Sequence, residues 1–212
     1  MSASPLVTFD LEQARGGALR LAGVDEAGRG SWAGPVVAAA VVLPTGWCPE
    51  GLDDSKRLAA GRREELFAAI RAGALGWGAC AVSPLVIDRI NILAATLRAM
   101  TAAIARLDPP PDLVLVDGLH LPPLPCAGTP LVRGDGRSAA VAAASVVAKV
   151  LRDRVMCGLD RRYPVYGFAR HKGYGAREHR EALRRHGPCP VHRRSYRPVV
   201  EWSQGRLWPD PR

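Results

Sequence analysis

Three short stretches of this chain set an acid behind an apolar run and follow it with glycine. Leu21-Ala-Gly-Val-Asp-Glu-Ala-Gly-Arg-Gly30 delivers two adjacent carboxylates, Asp25 and Glu26, into a loop of glycines with one arginine. Leu113-Val-Leu-Val-Asp-Gly118 and Pro130-Leu-Val-Arg-Gly-Asp-Gly136 repeat the pattern with Asp117 and Asp135. Carboxylates suit hard cations such as Mg²⁺ or Mn²⁺. The bare N–H groups of Gly28 and Gly30, together with Arg29, suit phosphate. The chemistry indicated is metal-assisted work on a phosphate. Neighbouring strand residues point to opposite faces, so Asp25 and Glu26 converge only if the strand ends there, and the glycines are expected to end it. A nucleotide-binding P-loop is excluded, because Arg29-Gly30 stands where Lys and Ser/Thr are required.

The elements that must position these acids are legible as apolar runs and helical stripes. Leu19–Val24, Pro35–Leu43, Gly76–Val82 and Leu113–Asp117 are expected strands, and a strand is also expected just before Arg133-Gly-Asp135. Acids at the carboxyl ends of strands lie where ligands bind in open α/β sheets. Helices are expected from Gly61 to about Ala72, from the Ser83-Pro84 cap, and from Asn91, with Leu93, Leu97, Met100, Ile104 and Leu107 as the apolar stripe. The strongest expected helix runs from Ser138 to about Asp160, with Ser145, Lys149 and Asp153 in a polar line along it. A basic helix follows from about Ala176 to His186. Lys56, in the polar loop Leu52–Leu58, is placed for a phosphate or for none.

At 212 residues the chain suits one domain with a small appendage. Residues 1–18 are expected to be mobile, residues 19–160 to form the core, and residues 161–212 to form a basic helical region packed on it. Of the formal charge of +9, none arises in residues 1–150, where 14 Lys and Arg balance 14 Asp and Glu; residues 151–212 hold 15 against 6. A polyanion is expected there. Five separated cysteines without a C-x-x-C pair point to reduced thiols, and His186, Cys189 and His192 lack a fourth ligand at zinc-finger spacing. No apolar run approaches membrane-spanning length, and a cytoplasmic protein without a membrane partner is expected.

The motifs resemble those of bacterial ribonuclease HII, the type 2 ribonuclease H, over nearly the whole chain. Val24-Asp-Glu-Ala-Gly-Arg-Gly30, Asp54-Ser-Lys56, Val116-Asp-Gly118, Arg133-Gly-Asp135, Ala143-Ala-Ser-Val-Val-Ala-Lys149 and His171-Lys-Gly-Tyr174 follow in that family's order. The resemblance implies an α/β, RNase H-like fold, a five-stranded mixed sheet flanked by helices with a C-terminal helical extension. It implies that Asp25, Glu26, Asp117 and Asp135 hold two divalent ions, Mg²⁺ or Mn²⁺. It also implies that Gly28, Arg29 and Gly30 read the ribose 2′-hydroxyl, that Tyr174 packs on the sugar at the junction, and that Lys56, Ser145 and Lys149 contact phosphates or support the site. The implied substrates are RNA/DNA hybrids and DNA duplexes containing ribonucleotides, cut on the 5′ side of the ribonucleotide to leave 3′-hydroxyl and 5′-phosphate ends. With only 24 residues before Asp25, type HII is favoured over HIII, which carries a large N-terminal domain.

Arg133 in place of a commoner lysine, Gly136 in place of a usual serine, and Ser31-Trp32 after the first motif depart from the pattern. Asp153 rivals Asp135 as the fourth acid; Asp135 is preferred as a strand-end residue. A monomer is expected, and Trp202–Trp208 is a weak candidate for a replication-clamp peptide. The alternative of another class is a catalytically silent nucleic-acid-binding protein with the same fold, against which the intact acids argue. A resolvase-like nuclease would lack the glycine-arginine loop and the junction tyrosine.

Overall fold

The computed structural model describes residues 4–15 and 20–203. Strands β1 (Leu21–Ala27), β2 (Val36–Val42), β3 (Gly76–Val82), β4 (Leu113–Asp117) and β5 (Ala127–Leu131) form one sheet in the order β3-β2-β1-β4-β5. β2 is antiparallel to β1 and β3, whereas β4 is parallel to β1 and β5. The sheet is therefore mixed, as expected. The helices are α1 (Pro5–Ala14), α2 (Ala60–Gly73), α3 (Pro84–Ile90), α4 (Ile92–Ile104), α5 (Ala139–Arg162), α6 (Phe168–His171), α7 (Arg177–His186) and α8 (Arg197–Ser203). Among the described residues no helix is long and apolar enough to cross a membrane.

β2, apolar throughout, shows how the sheet feeds two cores. Ala39 and Val41 join α1, α2 and α5 on one face, while Val36, Ala38, Ala40 and Val42 join α3 and α4 on the other. A third cluster, built on Ala33, Met156, Tyr166, Phe168 and Leu183, joins the far end of α5 to α6 and α7. The α4 stripe differs from its expected composition. Ala95, Ala99, Met100, Ala103 and Ile104 are buried, whereas Leu93 and Leu97 are only partly so. Small residues let α4 approach the sheet closely, and the leucines flank that contact. Pro5–Ala14, expected to be mobile, is a helix whose Val7 is buried in the α5 core and whose Asp10 accepts the Ala140 N–H at 2.9 Å. A short amphipathic turn of chain gives little periodic signal by itself.

The packing that places the site is α5 on β1. Every residue from Ser138 to Ala148 is buried, and the small alanines bring the helix backbone directly onto Gly23. A Cβ at Gly23 would lie 2.0 Å from the Ala140 carbonyl carbon. Gly23→Ala should therefore push α5 off β1 at a cost of about 1–3 kcal/mol or more, a fall in Tm of roughly 2–12 °C for a domain of this size. Thermal unfolding checks this; a wild-type Tm would mean that the contact is not tight.

Candidate active site

Alternation along β1 decides which acids meet. Gly23 and Ala27 face α5, so Asp25 does too, and its carboxylate is hydrogen-bonded by Ser145 of α5. Val24 pairs with Val116 on β4, which brings Asp117 beside Asp25 on the same face. Asp135 comes from a 3₁₀ turn, Gly134–Gly136, rather than from the end of a strand, since β5 stops at Leu131. The turn is fastened by the Gly134 N–H, which donates to Asp117 Oδ1 at 2.7 Å. One carboxylate oxygen from each of Asp25, Asp117 and Asp135 lies within 4.8 Å of the others. Glu26 stands apart from this triad. β1 remains paired with β2 through Ala27, so the strand does not end between the two acids; the Glu26 carboxylate accepts from Arg29 at 3.3 Å and still lies near enough to feel the charges of Asp117 and Lys56.

Asp25 is 3% exposed and Asp135 6% exposed. Burial, then the charges of Glu26 and Asp117, hold the Asp25 carboxyl well above its ordinary range. Burial also raises Glu26 and Asp117, against the opposing pull of Arg29 on the first and of the Gly134 N–H on the second. Lys56 Nζ reaches into the cluster and donates to Asp135 Oδ2 at 2.8 Å. Burial lowers its pKa, but the bond to Asp135 and the charges of Asp135, Asp54 and Asp25 prevail and raise it. An all-oxygen donor set with this excess of negative charge fits a divalent cation such as Mg²⁺ or Mn²⁺.

The helix line resolves into two roles, and a third on α5 lies off it. Ser145 is buried, shares a hydrogen bond of 2.8 Å with Ser55, and supports Asp25. Lys149 donates to Asp153 at 2.8 Å, and Arg63 lies 3.6 Å from the same carboxylate. Asp153 is thus occupied by two cations and lies outside the triad. The third role falls to Arg152, which the sequence alone marks only as a neighbour of Asp153.

The glycine loop is held from behind by two wholly buried arginines. Arg193 Nη2 donates to Gly28 O at 2.6 Å, its Nη1 to Arg29 O at 2.8 Å and its Nε to Gly34 O at 3.0 Å. Arg152 donates to Pro35 O, Ala33 O and the Ser31 hydroxyl, and Ser31 in turn donates to Gly28 O at 2.9 Å. Gly28 adopts φ +94°, and a Cβ there would meet Arg152 Nε at 1.8 Å. No Cβ-bearing residue fits that position.

Tyr174 lies beside the same loop, 41% exposed, with the Arg152 guanidinium carbon 5.5 Å from its ring centre. The Trp32 N–H donates to Gly173 O at 2.8 Å, and the Trp32 indole packs on Gly175 and His179. Trp32 is therefore a packing residue between the loops. Behind Tyr174 runs a chain of hydrogen bonds. The Cys189 N–H donates to His192 Nδ1 at 3.0 Å, the two Nε2 atoms of His192 and His179 lie 3.0 Å apart, and His179 Nδ1 lies 2.9 Å from Tyr174 O. With His192 Nδ1 accepting, only His192 Nε2–H to His179 Nε2 and His179 Nδ1–H to Tyr174 O complete the chain, so both rings are neutral. Burial agrees, lowering His179 to about 4 and His192 to about 3. Cys189 and His192 serve this chain, and no His or Cys metal cluster occurs among the described residues.

Part of the basic excess points inward at Arg152 and Arg193, while Arg177, Arg180 and Arg184 of α7 are exposed. Trp202 packs against the third core cluster; the remainder of the tail from residue 204 lies outside the described residues.

The family model for ribonuclease HII matches residues 22–199, a span that holds the acids, both loops and the two arginines. The chain belongs to the ribonuclease HII family. A ribonuclease HII of Geobacillus kaustophilus is 55% identical over 197 residues, 92% of this chain and 75% of that protein. Among solved structures, ribonuclease H2 from Pyrococcus horikoshii superposes with a TM-score of 0.71 at 26% identity, covering 88% of this chain and 98% of that one. The PCNA:RNase HII complex from Archaeoglobus fulgidus gives 0.66 at 30% identity, covering 79% and 88%. Membership of the ribonuclease HII family brings with it ribonuclease H hydrolysis dependent on a divalent metal.

The crowded acids predict a pH dependence. A carboxyl whose pKa is raised in the folded state adds stability below its unfolded value, and that stability is lost as pH rises through the folded value. Without metal, Asp25→Asn should thus be at least as stable as the wild type at pH 7, with the difference shrinking towards pH 4. Urea unfolding across that range checks it; a wild type more stable than the variant at pH 7 would contradict the repulsion.

Proposed function

We propose that this chain hydrolyses the RNA strand of RNA/DNA hybrids and cuts 5′ of single ribonucleotides embedded in duplex DNA, leaving 3′-hydroxyl and 5′-phosphate ends. The observation that carries this reading is the carboxylate triad of Asp25, Asp117 and Asp135 at the mouth of the glycine-arginine loop. Asp25, Asp117 and Asp135 would hold the metal, with Glu26, whose carboxyl feels Asp117 and Lys56, as the fourth acid. Divalent ions bound there supply the charge that activates water and stabilises the leaving 3′-oxygen. Ser145 keeps Asp25 in place, and Lys56 balances Asp135 until substrate arrives.

Discrimination requires a contact that exists only when a 2′-hydroxyl is present. A trans peptide is planar, so each carbonyl points opposite to the N–H that follows it. With Gly28 O and Arg29 O turned inward onto Arg193, the N–H groups of Arg29 and Gly30 point outward. The position of a Cβ on Gly30 has nothing within 4 Å. A sugar can therefore approach these donors closely, with Tyr174 alongside to pack on the next residue. The exposed arginines of α7 offer phosphate contacts on the same basic side of the chain. The working form is read as a monomer, with Mg²⁺ and Mn²⁺ as equal candidates.

The test is cleavage of a duplex with one ribonucleotide in Mg²⁺, beside an all-DNA duplex. The wild type should cut only the first. Asp117→Asn should lose at least about 10²-fold, since metal-ion charge stabilisation is worth several kcal/mol. Asp153→Asn gives up a helix ion pair worth about 0.2–0.5 kcal/mol and should stay near wild type. Binding without cleavage by the wild type would support the silent nucleic-acid binder instead, and a dead Asp153→Asn would transfer the place given to Asp135 to Asp153.

A further inference from the structure

Arg152 and Arg193 are the two largest wholly buried side chains among the described residues, and there neither forms a salt bridge with a carboxylate. Burying a guanidinium without a counter-ion is costly unless its N–H groups find acceptors. Here the acceptors are nearly all main-chain carbonyls of residues 28–35. Burial lowers Arg152 to about 10, so it is still charged at neutral pH. Its Nη1 is buried without a partner. The side chain fills the gap between Gly28 and the Tyr174 ring.

We propose that Arg193 and Arg152 are positioning residues for substrate discrimination: Arg193 turns the Gly28 and Arg29 carbonyls inward and so aims the Arg29 and Gly30 N–H groups outward, while Arg152 sets the Tyr174 ring against the same loop. This rests on the functional reading above and deepens it. The mechanism is mechanical as well as electrostatic. The guanidinium of Arg193 is a rigid planar fork that engages two successive carbonyls with separate nitrogens, whereas a lysine ammonium offers its donors from one rotatable point and fixes no such plane. Tyr196 adds a second donor to the Arg29 carbonyl at 2.7 Å, and Ser31 adds a second to the Gly28 carbonyl. Each carbonyl is thus held by two donors, one of them charged. Ser31 also accepts from Arg152 Nη2 at 2.6 Å, which makes its hydroxyl the link between the two arginines across Gly28. Movement of either arginine would rotate the peptide planes that present the N–H pair, and movement of Arg152 would shift Tyr174 in the same event.

The experiment uses the full chain as wild type and as Arg193→Lys, Arg152→Lys, and the milder pair Ser31→Ala and Tyr196→Phe combined, each with and without Tyr174→Ala. Four quantities are read: amide hydrogen exchange in residues 28–31 and 173–175, single-turnover cleavage of the duplex with one ribonucleotide at saturating protein, affinity for an all-DNA duplex, and Tm. Faster exchange in both segments is expected for Arg152→Lys, and in residues 28–31 for Arg193→Lys and for the mild pair. Cleavage should fall about tenfold for each lysine variant, the kinetic equivalent of one charged hydrogen bond, while affinity for the all-DNA duplex stays within about twofold. In the Tyr174→Ala background, Arg152→Lys should cost much less than it does alone, because coupled residues are not additive. A merely structural role would lower Tm and both duplex readouts together and leave the effects additive. Wild-type exchange and wild-type cleavage in a folded Ser31→Ala/Tyr196→Phe variant would overturn the proposal. Absence of cleavage by the wild type would overturn the functional reading alone, because the exchange data still report whether the arginines hold the two loops.

Discussion

Carboxylates confined out of water repel one another, and the fold of this chain is arranged to confine three of them. Asp25, Asp117 and Asp135 would separate if their backbones were free to move. Three constraints stop them: the pairing of β1 with β4, the 3₁₀ turn fastened to Asp117 through the Gly134 N–H, and the pressure of α5 through Ser145. The alanine-rich first half of α5 and Gly23 together allow the closeness on which the last constraint depends. Lys56 offsets part of the charge from outside the sheet. Stability is given up locally where the three like charges are held together.

A second device works with the opposite sign. Two guanidinium groups without carboxylate partners sit behind the glycine loop and draw its carbonyls inward. The acids and the arginines therefore act on neighbouring pieces of one chain. β1 ends in the crowded anions, and the loop that leaves it is turned inside out by buried cations. The neutral chain from Cys189 through His192 and His179 then fixes the backbone of Tyr174 from the far side. The C-terminal third is thus joined to the site by its interior as well as by its exposed positive charge.

Much of this was legible in the residues. Strand periodicity and the acid-glycine pattern located Asp25 and Asp117 at the carboxyl ends of β1 and β4, and of the polar line along α5 only Ser145 meets them. Three things were not. Asp135 lies four residues past β5, because Pro130-Leu-Val looks like strand while Arg133 adopts a left-handed conformation that ends it. Glu26 lies outside the tight triad while its carboxyl still feels Asp117, because pairing with β2 continues through Ala27, and register with a partner strand is a long-range property. Arg152 and Arg193 stood in the most basic part of the chain, where arginine ordinarily means a solvated surface. Arg152 lies seven residues after Ser145 on the same buried helix, and that spacing was the available signal. For Arg193, whose acceptors are some 160 residues away, no local signal exists.

The central claim is that these three acids form one divalent-cation site built from β1, β4 and the turn after β5. Anomalous diffraction from crystals soaked in Mn²⁺ tests it most directly. The account predicts a manganese peak bounded by the carboxylates of Asp25, Asp117 and Asp135, lost in Asp117→Asn crystals. A peak at Asp153 or at the Cys189–His192 chain with none at the triad would contradict it.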